Sequence, residues 1–135
     1  RDTKDIRVTS SKENIKEIRQ QIETLCKEIG FDSEETFNIK LAVNEAHANV
    51  IEHAYYGNEE GEIQFKILSF DDRIEIMIRD FGSGIGQKTL KGEDKHLDEL
   101  EGSGLGAFLI RSVMDKVKYK RRKVGTELWL TKYKK

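Results

Sequence analysis

With 135 residues, the chain is long enough for one domain with one hydrophobic core, and its 24 basic side chains are balanced by 25 acidic ones. This balance gives no argument for binding to nucleic acid or to a membrane surface. The single cysteine, Cys26, excludes an internal disulfide, and no apolar run approaches the roughly 20 residues of a membrane span. We therefore expect a soluble, cytoplasmic protein in which Cys26 is a small buried side chain.

The chain begins with a predicted strand and a predicted helix. Residues 5–9 favour a strand, and Ser10 followed by Glu13 has the pattern of a capping box, which opens a helix. Gly30 is predicted to end this helix. Apolar side chains recur along it at spacings of three and four residues: Ile15, Ile18, Ile22, Leu25 and Ile29.

A second helix, capped by Asp32 with Glu35, is predicted to run to about residue 55. It is rich in Ala, Val and Ile, as a core helix should be, but four polar side chains share an arc of about 100°. His47 lies about 160° from Asn49 and is predicted to be a surface or interface residue. The polar column comprises Glu45, Asn49, Glu52 and His53.

Most strands of the sheet are predicted in the second half of the chain. Residues 62–68 and 73–80 alternate as strands around a polar turn, and a helix is predicted over 105–115. The basic run KYKRRK is interpreted as the solvated end of a closing hairpin. That hairpin is formed by strands at 117–120 and 126–131. No repeat, low-complexity tract or linker interrupts the pattern, so residues 1–135 are predicted to form one sandwich of helices and strands.

Glycine is concentrated where a long connection joins strand to helix. Seven of the 11 glycines fall between residues 82 and 106, in the clusters DFGSGIG (80–86) and EGSGLGAFLI (101–110). Glycine lets backbone N–H groups approach a ligand, and the second cluster runs into a helix N-terminus, which favours anions. A phosphate site is therefore predicted. The absence of GxxxxGK[ST] excludes a P-loop, and the order of elements does not fit a dinucleotide fold.

Three motifs in this order resemble the GHKL ATPase superfamily. They are NEAHANVIEHAY (44–55), DFGSG (80–84) and GSGLGAFLI (102–110), and the closing GTELWL (125–130) also fits. Within the superfamily the chain looks most like the anti-sigma factor serine-protein kinases of bacterial stress and sporulation control. The resemblance implies an α+β two-layer sandwich, with a mixed, mostly antiparallel sheet and helices on one face. It covers nearly the whole chain from about residue 5.

The resemblance implies ATP and Mg²⁺ as cofactors and assigns roles on the second helix and at a strand end. Asn49 would bind Mg²⁺ through its amide oxygen, which is a hard ligand. Glu45 would be the general base that takes a proton from a serine hydroxyl. Asp80 would accept a hydrogen bond from the adenine amino group, with Thr126 sharing a bridging water. A buried polar network that braces the helix against the sheet is the alternative for Glu45 and Asn49.

The glycine clusters would surround the nucleotide. Gly82 and Gly84 would let the backbone pass close to it, and residues 86–101 would form a lid that contains His96. His53 is treated as a structural residue near the site. The residues implied to wrap the phosphates are Gly102, Ser103, Gly104, Leu105 and Gly106.

One departure from the family concerns the γ-phosphate. Some members carry an arginine just before the second glycine cluster, whereas this chain has Gly102 preceded by Glu101. Lys88 and Lys91 in the lid are substitutes worth testing.

The function implied is an ATP-dependent serine-protein kinase that sequesters a sigma factor and phosphorylates an anti-anti-sigma protein. A homodimer, as in other members, would use the first strand and helix. Direct contact with nucleic acid or membrane is not expected. The alternatives are a nucleotide-dependent binding module without kinase activity, the ATPase domain of a sensor histidine kinase, and a kinase of a stress-signalling complex that binds no sigma factor.

Overall fold

The computed structural model describes residues 2–82 and 104–135, with the backbone alone at residues 104 and 105. The described part contains five strands, three α-helices and a short π-helical segment. In chain order these are β1 (Asp2–Thr9), α1 (Asn14–Ile29), α2 (Ser33–Asn49), the π-turn (Val50–Ala54), β2 (Glu62–Ser69), β3 (Arg73–Asp80), α3 (Gly104–Val113), β4 (Lys116–Arg121) and β5 (Thr126–Tyr133).

The strands form one sheet in the order β1-β2-β3-β5-β4, and every pair of neighbouring described strands is antiparallel. Side chains alternate between the faces of a strand, so one face collects the apolar residues. That face packs against the helices in a single core, which confirms the predicted two-layer α+β sandwich. Its fully buried members include Ile18, Ile22, Ile39, Ile63, Phe65, Ile67, Ile74 and Ile76.

The ends of three central strands meet at one edge of this sheet. Asp80, the last residue of β3, is paired with Ile63 near the start of β2 and with Thr126 at the start of β5. Because β3 is antiparallel to both neighbours, its C-terminal end lies beside their N-terminal ends. The aspartate that is predicted to bind adenine is therefore inside the sheet, at the C-terminal end of its central strand.

Two of the predicted helix boundaries are confirmed by backbone geometry. The backbone N–H of Glu35 donates to the Asp32 carboxylate at 2.7 Å, and the N–H of Asp32 donates to Glu35 at 3.1 Å, which completes the capping box of α2. Gly30 ends α1 with φ of 107°, a left-handed conformation that glycine adopts at little cost.

The capping box predicted at Ser10 is wrong. Residue 13 precedes α1 without any side-chain cap, and Ser10 is fully buried elsewhere. Its hydroxyl donates to the carbonyl of Asn58 and accepts from the N–H of Gly61 at 2.8 Å. The loop before β2 thus offers Ser10 both a donor and an acceptor, and these contacts join residues about 50 positions apart that no local pattern relates.

The predictions about Cys26 and the basic run agree with the fold. Cys26 is buried, and burial raises the pKa of its thiol to about 12, so it behaves as a small apolar residue. The basic run lies on β4 and the turn that follows it, where the lysines at 118, 120 and 123 are exposed. Among residues 2–82 and 104–135, no helix has the length and apolar character needed to cross a bilayer.

Candidate functional site

The polar column of the second helix lies where the helix changes geometry. The α-helix ends at Asn49 and continues as the π-turn, so the predicted extent to about residue 55 is right but the regular helical phase is lost after Asn49. Glu45 and Asn49 remain one α-helical turn apart and are both half-buried, whereas Glu52 is exposed. Short π-helical turns recur at functional sites, and here one follows the two residues with predicted chemistry.

The first turn of α3 lies directly on Glu45 and Asn49. A Cβ at Gly106 would be 2.6 Å from Glu45 Oε2 and 3.3 Å from Asn49 Nδ2, and both distances are shorter than ordinary van der Waals contact. Only a glycine allows the two helices to approach so closely here without displacing the carboxylate. The structure therefore brings the first and third sequence motifs together, although about 60 residues separate them.

The start of α3 also supplies positive electrostatic potential at this place. The described helix begins at Gly104, and backbone N–H groups in the first turn of a helix point toward its N-terminal end. These donors and the helix dipole favour an anion such as phosphate. A carboxylate, an amide and an anion-binding helix end thus occupy one side of the site.

Asp80 is held at the end of β3 by hydrogen bonds from Gly82 and Thr126. Its side chain is only 3% exposed, its Oδ1 accepts from the N–H of Gly82 at 3.1 Å, and its Oδ2 accepts from the hydroxyl of Thr126. Burial raises the pKa of the Asp80 carboxyl above its usual value, although these hydrogen bonds act in the opposite direction. A carboxylate has about four lone-pair sites, so it retains capacity to accept from an amino group.

Thr126 contacts Asp80 directly through its hydroxyl. The two residues are cross-strand partners in β3 and β5, so their side chains leave the same face of the sheet as immediate neighbours. The two residues are therefore neighbours, and the water that they would share with adenine stays a prediction.

Two glycines let neighbouring backbones approach Asp80. A Cβ at Gly82 would lie 2.3 Å from the carbonyl oxygen of Ala54, at the end of the π-turn. Gly125 has φ of 76°, and a Cβ there would lie 1.9 Å from the carbonyl oxygen of Asp80. Gly125 was missed as a site residue, although its position at the start of GTELWL was a usable signal.

His47 corrects a prediction: it is fully buried rather than on the surface. Its ring packs edge-on against Phe65 of β2 with 4.9 Å between ring centroids, and no described residue hydrogen-bonds either ring nitrogen. Because α2 lies against the sheet, the side opposite Asn49 faces the core. Burial lowers the pKa of His47 to about 4.

We expect His47 to make the folded state sensitive to acid. Its folded-state pKa of about 4 lies below the usual 6.5, so its contribution is complete above pH 6.5 and is lost as the pH falls toward 4. The full effect is about 3 kcal/mol. Urea unfolding at pH 7.5 and pH 5 should show a larger loss of stability for wild type than for His47→Leu, and equal losses in the two proteins would contradict this.

The sequence model of a protein family, the histidine kinase-like ATPase domain, matches residues 8–132 of this chain. The chain belongs to this ATPase family. A protein of Oceanobacillus iheyensis called serine-protein kinase RsbW is 32% identical over 135 aligned residues, covering 96% of this chain and 85% of that protein. The protein of the same name in Listeria monocytogenes is 33% identical, covering 85% and 76%, and that of Bacillus subtilis is 27% identical, covering 96% and 84%.

A solved structure supports the fold of this ATPase-family chain. The crystal structure of the RsbU and RsbW domains of a Mycobacterium tuberculosis protein superposes with a TM-score of 0.69 at 19% identity. The match covers 98% of this chain and 32% of that longer chain, so the present chain spans about a third of its length. The family predicted from the three motifs is confirmed.

Several predicted site residues of this ATPase-family chain lie outside the described residues: Gly84, Gly102 and Ser103, together with Lys88, Lys91 and His96. Of Gly104 and Leu105 the backbone is described, and it forms the start of α3. His53 is half-buried within the π-turn.

Within residues 2–82 and 104–135, no cluster of three His, Cys, Asp or Glu side chains could hold a metal ion.

Proposed function

We propose that the chain is an ATP-dependent serine-protein kinase that also acts as an anti-sigma factor. The observation that carries the proposal is the contact of Glu45 and Asn49 with Gly106 at the start of α3. A carboxylate and an amide thus lie at a helix N-terminus, which is the end of a helix that favours phosphates. The serine-protein kinases that the chain resembles support the same activity.

The two ends of the site would serve the two ends of ATP. Asp80, inside the sheet, accepts hydrogen bonds and would take one from the adenine amino group. The backbone N–H groups at the start of α3, including Gly104, Leu105 and Gly106, would hold the phosphates. Asn49 would contribute one oxygen to Mg²⁺, and the small number of protein ligands is usual for this ion.

Glu45 is the residue proposed to move a proton. Bound ATP supplies the γ-phosphoryl group that is transferred. Glu45 takes the proton of the serine hydroxyl while that oxygen bonds to the γ-phosphorus; the bond from this phosphorus to the β–γ bridging oxygen breaks, and ADP leaves. Such transfer depends mainly on positioning and charge, so the role of Glu45 requires that the half-buried carboxylate be held within reach of the serine hydroxyl.

The proposed protein substrate is a small anti-anti-sigma protein, and the proposed second partner is a sigma factor of RNA polymerase. Phosphorylation of the antagonist would prevent its binding and leave the kinase free to hold the sigma factor, so that nucleotide state biases the competition. The setting proposed is cytoplasmic control of transcription in a stress response or in sporulation. A homodimer is part of this proposal.

Calorimetric titration with ATP, with and without Mg²⁺, tests the site. Wild type should bind ATP more tightly with Mg²⁺, and Asn49→Ala should lose most of that gain, lowering the affinity by about ten- to a hundredfold through the lost contact to a charged group. Asn38→Ala is the matched control, because Asn38 is a half-buried asparagine on the same helix. Absence of Mg²⁺-dependent ATP binding in wild type would overturn the proposed function.

A further inference from the structure

Tyr55 connects the end of the π-turn to two separate strands. Its hydroxyl donates to the carbonyl oxygen of Glu62 at 2.5 Å and accepts from the N–H of Phe81 at 2.8 Å. Glu62 begins β2, and Phe81 directly follows Asp80 at the end of β3. One phenol oxygen thus joins the helical layer to the backbone that carries the adenine-facing carboxylate.

The ring of Tyr55 is held in place by its surroundings. A Cβ at Gly61 would lie only 2.4 to 2.6 Å from three atoms of the ring, so a glycine is needed where the ring packs. On the other side, Gly82 lies against the carbonyl of Ala54, the residue before Tyr55. The segment from Asp80 to Gly82 is therefore packed against the helix end and is tied to it by the phenol.

The hydroxyl uses both of its hydrogen-bonding capacities at neutral pH. Its one proton points to the carbonyl oxygen of Glu62, and its oxygen accepts from the N–H of Phe81. Removing the hydroxyl therefore takes this partner away from one backbone donor and one backbone acceptor. Burial raises the pKa of the Tyr55 phenol above its usual value, which keeps it protonated.

We propose that Tyr55 is a specificity-determining positioning residue, whose hydroxyl holds the Phe81 backbone so that the Asp80 carboxylate selects adenine over guanine nucleotides. The inference rests on the proposed function, since it presumes that ATP occupies this site. Adenine presents an amino donor where guanine presents a carbonyl acceptor. An ionised carboxylate only accepts, so it disfavours a guanine carbonyl that stands where the adenine amino group would be. This selection holds only if the backbone keeps the carboxylate from turning toward the N–H donors of guanine.

The test compares the affinities of Mg²⁺-ADP and Mg²⁺-GDP by calorimetry. Wild type should prefer ADP, and Tyr55→Phe should reduce the ratio of the two affinities by about tenfold, mainly through weaker ADP binding. Tyr56→Phe is the matched control, because this neighbouring tyrosine is 64% exposed and should keep the wild-type ratio. Gly61→Ala should act in the same direction as Tyr55→Phe, because its methyl group displaces the ring.

The outcomes separate this inference from the proposed function. If wild type binds ADP with selectivity and Tyr55→Phe keeps the same ratio, the role of Tyr55 is overturned while the nucleotide site stands. Equal losses of ADP and GDP affinity would show a merely structural tyrosine and would also overturn it. If wild type binds neither nucleotide, or both equally, the proposed adenine site itself fails. Thermal unfolding of each variant confirms that folded proteins are being compared.

Discussion

Glu45→Gln is expected to slow phosphate transfer to a protein serine by about 10²- to 10⁴-fold while ATP binding stays close to that of wild type. Gln keeps the shape that packs against Gly106 but cannot take a proton from the serine hydroxyl. The measurement is single-turnover transfer of labelled γ-phosphate to an anti-anti-sigma protein, with calorimetry of ATP binding on the same samples.

Glu34→Gln is the control for this substitution, because Glu34 is an exposed glutamate in the first turn of the same helix. It should transfer phosphate at the wild-type rate. Wild-type transfer by Glu45→Gln would remove the general-base role. Intact ATP binding with no transfer by wild type to any antagonist would favour the alternative in which nucleotide only shapes a binding surface.

Asp80→Asn is expected to weaken ATP binding by about a hundredfold and to lower stability. Both carboxylate oxygens accept hydrogen bonds, one from Gly82 and one from Thr126. An amide replaces one acceptor by a donor. Turned toward Thr126, the new amide group keeps a hydrogen bond only if the Thr126 hydroxyl rotates to accept it; turned toward Gly82, it meets the backbone N–H donor against donor. Loss of a hydrogen bond from adenine to a charged acceptor accounts for this magnitude in ATP affinity, and the weakened contacts to Gly82 and Thr126 account for the lower stability.

Calorimetry of ATP binding measures this effect, and urea unfolding measures the accompanying loss of stability. Asp71→Asn is the control, because Asp71 is an exposed aspartate in the turn between β2 and β3 and should bind ATP as wild type does. Unchanged ATP affinity in folded Asp80→Asn would place adenine recognition elsewhere.

Most of the fold was predictable because its elements follow local patterns. The Asp32 capping box, the left-handed Gly30 and the alternating isoleucines of β3 each act within a few residues, and the structure has them as predicted. The observed strands extend the predicted ones by at most three residues at an end. The predictions that failed depended on distant partners: Ser10 binds the loop before β2, and His47 faces Phe65.

The candidate site was predictable as a set of residues but not as an arrangement. The glycine clusters and the polar column in the sequence pointed to Glu45, Asn49, Asp80 and Gly106 as candidate site residues. The sequence did not show that Gly106 lies on Glu45. Tyr55 was quoted within the first motif without a role, because its two backbone partners belong to strands that the tertiary structure alone brings together.

The sequence by itself determined which segments are helices and strands, which side chains are apolar enough to form a core, and which family the chain belongs to. These properties depend on periodicity and on motif order, which a linear chain carries in full. Only the tertiary structure decided that α2 turns His47 into the core, that the π-turn ends the regular column at Asn49, and that α3 begins against Glu45. The physical reason is that burial and close approach depend on how elements pack, and packing joins residues far apart in the chain.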